Sequence, residues 1–132
     1  AHYFAALVDS FAGRASTAFE HADEALRLSP FDPSAFEAHL AKGMAAIGED
    51  SFEEAAAHFA AGERVNPRHS LFPLFRAIAL ALAGRAEEGR PSVERGLQLE
   101  PGFRIRIFSE FGMNPLLAEK FIRGARQLGL EE

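Results

Sequence analysis

The sequence predicts an all-α protein, an α-solenoid of about three stacked helical hairpins with a C-terminal capping helix. Three observations lead there. The first is a recurring punctuation. Gly13, Asp50 and Gly84 are each followed, seventeen residues on, by a proline: Pro30, Pro67 and Pro101. Between turn and proline stand small residues at matched places, Ala18, Ala55 and Gly89, then Ala25, Gly62 and Gly96. Pro67 and Pro101 lie 34 residues apart and Pro30 and Pro67 lie 37 apart, and a period in the mid-thirties marks repeated helix pairs. The second is composition. Alanine, which lets helices approach closely, is the commonest residue. Phenylalanine, which fills the space between them, occurs 13 times, against one Tyr and no Trp, and β-branched residues for strands are few. The third is apolar spacing at three and four residues along most segments.

The elements follow in order. A first helix over about 3–12 ends at Gly13, a residue suited to a left-handed cap. The second runs from about Ser16 to Leu28, with Ala18, Ala22, Ala25 and Leu26 as its packing stripe. Pro30-Phe31-Asp32-Pro33 breaks the chain, with Asp32 placed to cap the next helix and Pro33 suited to its first turn. The third helix covers about Pro33 to Ile47, with Phe36, Leu40, Gly43, Met44 and Ile47 inward. Ser51 and Glu54 have the spacing of a capping box for the fourth, whose inner edge is Ala55, Phe59 and Gly62. Ser70 starts a fifth helix, to Leu82, apolar on nearly every side and so sandwiched between neighbours. The sixth spans Ala86 to Leu99 and carries Pro91, read as a tolerated kink on the convex face. Residues 102–112 form an irregular or short helical link. Asn114-Pro115 opens the last helix, to about Leu128, with Leu117, Phe121, Ala125 and Leu128 on one face and Lys120, Arg123 and Arg126 on another. The domain plan is three repeats over 1–30, 31–67 and 68–101, then linker and cap over 102–132.

Bulk properties exclude several function classes. At 132 residues and 48% hydrophobic the chain suffices for one domain. A formal charge of −5 with both signs mixed is no nucleic-acid surface. The absence of cysteine rules out disulfides and thiolate metal sites. The most apolar run, Leu71 to Ala83, is too short for a bilayer and contains Pro73 and Arg76. No signal peptide is visible and the sequence starts at Ala1 without Met, so a native N-terminus can lie upstream. The expectation is cytoplasmic, with no membrane or nucleic-acid partner.

With turn residue, two small residues and proline at these offsets, residues 1 to about 101 resemble a tetratricopeptide repeat (TPR) array. The third repeat matches at Gly84, Leu97 and Pro101, with Gly89 and Gly96 where the family prefers Ala. The second has Gly43, Phe52, Ala55, Phe59 and Pro67, with Gly62 for Ala and three extra residues. The first keeps Gly13, Ala18, Ala25, Leu26 and Pro30 without the family's first-helix aromatics. A narrower resemblance lies in Ala79-Leu80-Ala81-Leu82-Ala83-Gly84-Arg85-Ala86-Glu87-Glu88, Leu99-Glu100-Pro101-Gly102-Phe103, and the tail from Phe121 to Glu131. These segments look like the C-terminal TPR region of bacterial adenylate/guanylate cyclase-like signalling proteins and related winged-helix regulators, with Ala125 in place of a usual Leu. The resemblance implies a non-catalytic interaction and regulatory module at the end of a larger chain, whose chemistry lies upstream. The alternatives are a self-association module that dimerises upstream output domains, and a stand-alone TPR adaptor.

No residue set in this chain points to catalysis or to a cofactor. Glu54 and His58 are one turn apart and could both touch a cation, but zinc needs three or four ligands and no second pair joins them. Gly84-x-x-x-x-Gly89 is followed by Arg90-Pro91, not Lys and Ser/Thr, and is preceded by a helix, so it is no phosphate loop. Glu53/Glu54 and Glu87/Glu88 open helices, where carboxylates favour the helix dipole. Arg104 and Arg106 with the last helix's bases read as a solubilising face.

By the TPR resemblance, the first helix of each pair lines a concave groove. That groove would expose some of Tyr3, Leu7, Leu40, Met44, Leu74 and Ile78, with Glu37 at its edge. Only Lys42 or Arg76 is cationic nearby, so a clamp for acidic tails is not expected. An apolar groove suits an apolar or amphipathic segment of a protein or peptide. The competing reading is that these residues pack against an upstream repeat or the chain's own cap.

Overall fold

The computed structural model describes residues 15–28, 35–110 and 112–132. Among them the chain forms seven helices and no strand: α1 (Ala15–Leu28), α2 (Phe36–Gly48), α3 (Phe52–Val65), α4 (Leu71–Leu82), α5 (Ala86–Leu99), α6 (Ile107–Glu110) and α7 (Pro115–Gln127). The expected first helix, Gly13, Pro30 and the Asp32–Pro33 cap lie outside the described residues. From α1 to α5 each helix packs against the next, and α7 packs against α4, α2 and α6. Short connections turn the chain back on itself, so α2 and α3 form one antiparallel hairpin and α4 and α5 another.

The two hairpins share their punctuation down to the backbone. Asp50 and Gly84, 34 residues apart, both hold positive φ, 61° and 80°, which swings the chain out of one helix toward the next. The amides that follow, of Ser51 and Arg85, donate to Ala46 and Leu80 carbonyls at 2.8 Å in each case. At the far end Asn66 (φ −135°, ψ 82°) and Glu100 (φ −143°, ψ 82°) stop α3 and α5 in one conformation. Each precedes a proline, whose ring disfavours the helical region at that position.

The recurring small residues are the contact points between helices. Ala18 and Ala55 are fully buried, and a Cβ on Gly89 would lie 3.1 Å from the Ala77 backbone. At Gly43 and Gly62 the missing side chain makes room for the rings of Phe59 and Phe72, and at Gly96 for Leu74. Phenylalanine then bridges layers. Phe59 of α3 meets Phe75 of α4 edge-on at 5.5 Å, and Phe75 meets Phe121 of α7 at 4.8 Å. Phe121 also stacks on Phe108 at 5.1 Å. The apolar helix α4 is enclosed as its composition requires, with Phe72, Leu74, Ala77, Ile78 and Ala79 without solvent contact.

Two expected caps take another form. Ser51 stands at the N-cap of α3 but its side chain makes no cap bond. The Glu54 carboxylate sits 3.6 Å from His58 instead of reaching back to the cap. Ser70 before α4 donates to Glu100 at 3.0 Å, tying the start of α4 to the end of α5. Asn114 behaves as expected, accepting from the Leu116 and Leu117 amides at 3.0 and 3.3 Å. Pro91 lies exposed inside α5.

Candidate functional site

The tail decides what the expected groove residues pack against. Its helix α7 buries Leu117, Phe121 and Ala125 and lies across α4 and α2. Gly124 permits close approach, since a Cβ there would come within 2.9 Å of the Ile78 carbonyl oxygen. The Lys120 ammonium fixes the crossing, donating to the Gly48 carbonyl at 2.9 Å and pairing with Asp50 at 2.8 Å. The last residues return to the link, where Ile105 and Arg106 amides donate to Glu131 and Glu132 carbonyls at 2.8 and 3.2 Å. Arg104 pairs with Glu131 at 3.2 Å. The last helix therefore lies over α4 and α2 and does not simply extend the row of helices.

The groove residues expected from the sequence are consequently divided. Tyr3 and Leu7 lie outside the described residues. Ile78 is beneath Gly124, and Leu74 is turned toward Gly96 of α5; both are fully buried, so neither presents an open groove. Glu37 is half-buried at the start of α2. Leu40 and Met44 are brought together, and they too are buried, with 7% and 0% exposure. They form one wall of an apolar pocket of about 240 Å³ whose other walls are Leu71 and Phe75 of α4, and Ile107, Phe108 and Met113 of the tail. No polar side chain lines it.

Sequence reasoning missed the tail's share of this pocket. Phe103, Ile105 and Phe108 are buried and Ile107 is partly so, too apolar a set for a solvated connection, and that was the available signal. Met113 was a second one, since the chain has two methionines and both line the pocket.

Glu54 and His58 are adjacent, but among the described residues no group of three or more His, Cys, Asp or Glu forms a metal-holding set. His58 is a polar anomaly of another kind. Its Nε2 is buried without a hydrogen-bond partner, and its ring faces Phe19 of α1 at 6.0 Å. Burial and then the Lys42 ammonium hold its protonation below the ordinary histidine range, against the opposing Glu54 and Asp23 carboxylates. Lys42 is itself paired with Asp23 at 2.7 Å, joining α2 to α1. Arg104 is paired with Glu131, and Arg106 with Glu110 at 3.8 Å. Arg126 is paired with Glu132 at 2.8 Å, so these bases sit in solvated ion pairs. No helix among the described residues is long and apolar enough to cross a membrane. No family model matches the chain, and neither a curated protein nor a solved structure is found similar to it.

Proposed function

We propose that the chain is a non-catalytic protein-interaction and regulatory module of the TPR type, from the C-terminal part of a larger bacterial signalling protein with an adenylate cyclase-like output domain. Support for the TPR reading comes from the agreement of Asp50 with Gly84, and of Asn66 with Glu100, in backbone angles and bonding. The observation that carries the interaction reading is the apolar pocket that Leu40 and Met44 line together with Leu71 and Phe75 of α4 and three residues of the tail. Its apolar lining fits an apolar or amphipathic segment of a protein or peptide.

Two measurements test this reading. The native polypeptide containing these residues is captured from cells and weighed intact. A chain much larger than this one, with a nucleotide cyclase-like domain upstream, is the expected result; a chain no longer than this one removes the signalling link and leaves a stand-alone adaptor. For the interaction, a double variant is made, in which Leu71→Gln changes a half-buried residue of the pocket wall and Glu37→Arg a half-buried residue three positions before Leu40. Retained partner capture by this variant, with helical circular dichroism intact, would sink the assignment of this face. Leu74 is unsuitable for such a test, because an Asp there would be enclosed against Gly96 and unfold the chain.

A further inference from the structure

We propose that α5 is a release helix: it lifts from α4 as one unit while α4 and α7 stay joined, and so bares a strip of α4 without unfolding the molecule. This stands apart from the interaction reading, since it needs no partner.

The α5 backbone is a poor helix former. Gly89, Pro91 and Gly96 stand among its 14 residues, and glycine and proline are the residues least suited to a helix interior. Pro91 has no amide for the Glu87 carbonyl one turn earlier, and its ring crowds that carbonyl. The neighbouring α4 has no glycine, and its proline, Pro73, stands in the first turn, where no amide is needed. What holds α5 in shape is therefore its contact with α4, its main helical neighbour.

That contact is built mainly from the side chains of α4. Leu74, Phe75, Ala77, Ile78 and others of α4 are buried, whereas the buried residues of α5 are Gly89 and Gly96 alone. Ala86, Val93 and Leu97 are partly buried. Val93 and Leu97 also line a cleft of about 230 Å³ with Phe103, Leu128 and Leu130 of the tail, so their remaining surface is incompletely packed. Arg90 and Arg95 reach the Leu128 and Pro67 carbonyls at 3.4 Å, near the long limit of a hydrogen bond. Arg85, before the helix, meets Glu53 at 3.4 Å, and Ser70 donates to Glu100, past its end, at 3.0 Å. The α4–α7 contact is made elsewhere, by Phe75 with Phe121 and Ile78 with Gly124. Lifting α5 thus uncovers Leu74, seated against Gly96, and Ala77, seated against Gly89, and leaves the aromatic cluster closed. Units of this kind open at less than the cost of global unfolding.

Native-state hydrogen exchange on the whole chain, followed by NMR at rising sub-denaturing urea, tests this. Protection factors in α5 should lie at least about tenfold below those in α4 and α7 and respond little to urea, because a local opening exposes little surface. Equal protection and equal urea response in α5 and α4 overturn the proposal. Ile78→Val, beneath Gly124, should lower protection in α4 and α7 about fivefold and leave α5 unchanged; a matching fall in α5 overturns it. Pro91→Ala should raise α5 protection about 100-fold. No gain overturns the proposal too, because the weakness would then not lie in the α5 backbone.

Discussion

Leu40 and Met44 in α2 hold the same places as Leu74 and Ile78 in α4, 34 residues on, yet the two pairs meet different fates. Leu74 and Ile78 are enclosed by Gly96 and Gly124. Leu40 and Met44 face a pocket. The backbones of the two hairpins are matched at their turns and helix ends, so the difference is made by what a third element lays over them. A repeated helical frame specifies position, and the non-repeated tail specifies what each position packs against.

The comparison breaks most completely if α7 is loosened. Phe121 is fully buried where α4, α6 and α7 meet, so Phe121→Ala should cost about 3–5 kcal/mol, read as a lower urea midpoint. An unchanged midpoint would mean that the tail does not hold the face closed.

A smaller effect sharpens the matched turns. Gly84 at φ 80° has open space around its missing Cβ, so Gly84→Ala pays for backbone conformation alone, about 1–2 kcal/mol. Asp50→Gly at the equivalent place relieves that conformation but releases Lys120, and the two should offset to within about 0.5 kcal/mol. Equal losses at both turns, measured by the same denaturation, would show that the shared positive φ is not what matters.

The smallest effect is on pH, and it separates the α1–α3 end from the α4–α5 end. His58 and His39 are both held below the ordinary range, chiefly by burial and then by Lys42. His69, set between Phe36 and Phe72 at 5.5 and 5.3 Å, is lowered by burial against the pull of Glu100. The unfolded chain therefore takes up protons that the folded one refuses. Stability is full above the ordinary histidine value of about 6.5 and falls as pH drops from there toward the depressed folded values. His58→Gln should flatten part of that decline in thermal midpoints between pH 7 and 5, and an unaltered slope would assign the dependence to other groups.

Much of the frame was legible because its signals are local. The α5 bounds, the stop before Pro67 and Pro101, the buried stripe of α7 and the Asn114 cap all follow from residues within a few positions of one another. The failures share a cause as well. Ser51 with Glu54 had the capping-box spacing, but His58 lies one turn further on and stands beside that carboxylate. Leu74 and Ile78 carried the period of an inner face, and nothing in that period shows that Gly124, 46 residues beyond Ile78, would arrive to cover it. The pocket was half visible for the same reason: Leu40 and Met44 lie in the repeat, whereas Ile107, Phe108 and Met113 come from the segment read as a link.

The bond from Lys120 to the Gly48 carbonyl spans 72 residues, and it has a consequence for the order of assembly. Hairpins such as α2–α3 and α4–α5 join neighbours in the chain and close quickly. Contacts between α7 and α2 carry the entropy cost of a long loop and wait for α7 to leave the ribosome. The nascent chain thus exposes Phe75 and Ile78 until α7 emerges, and the pocket, whose third wall comes from the tail, takes shape only after both hairpins.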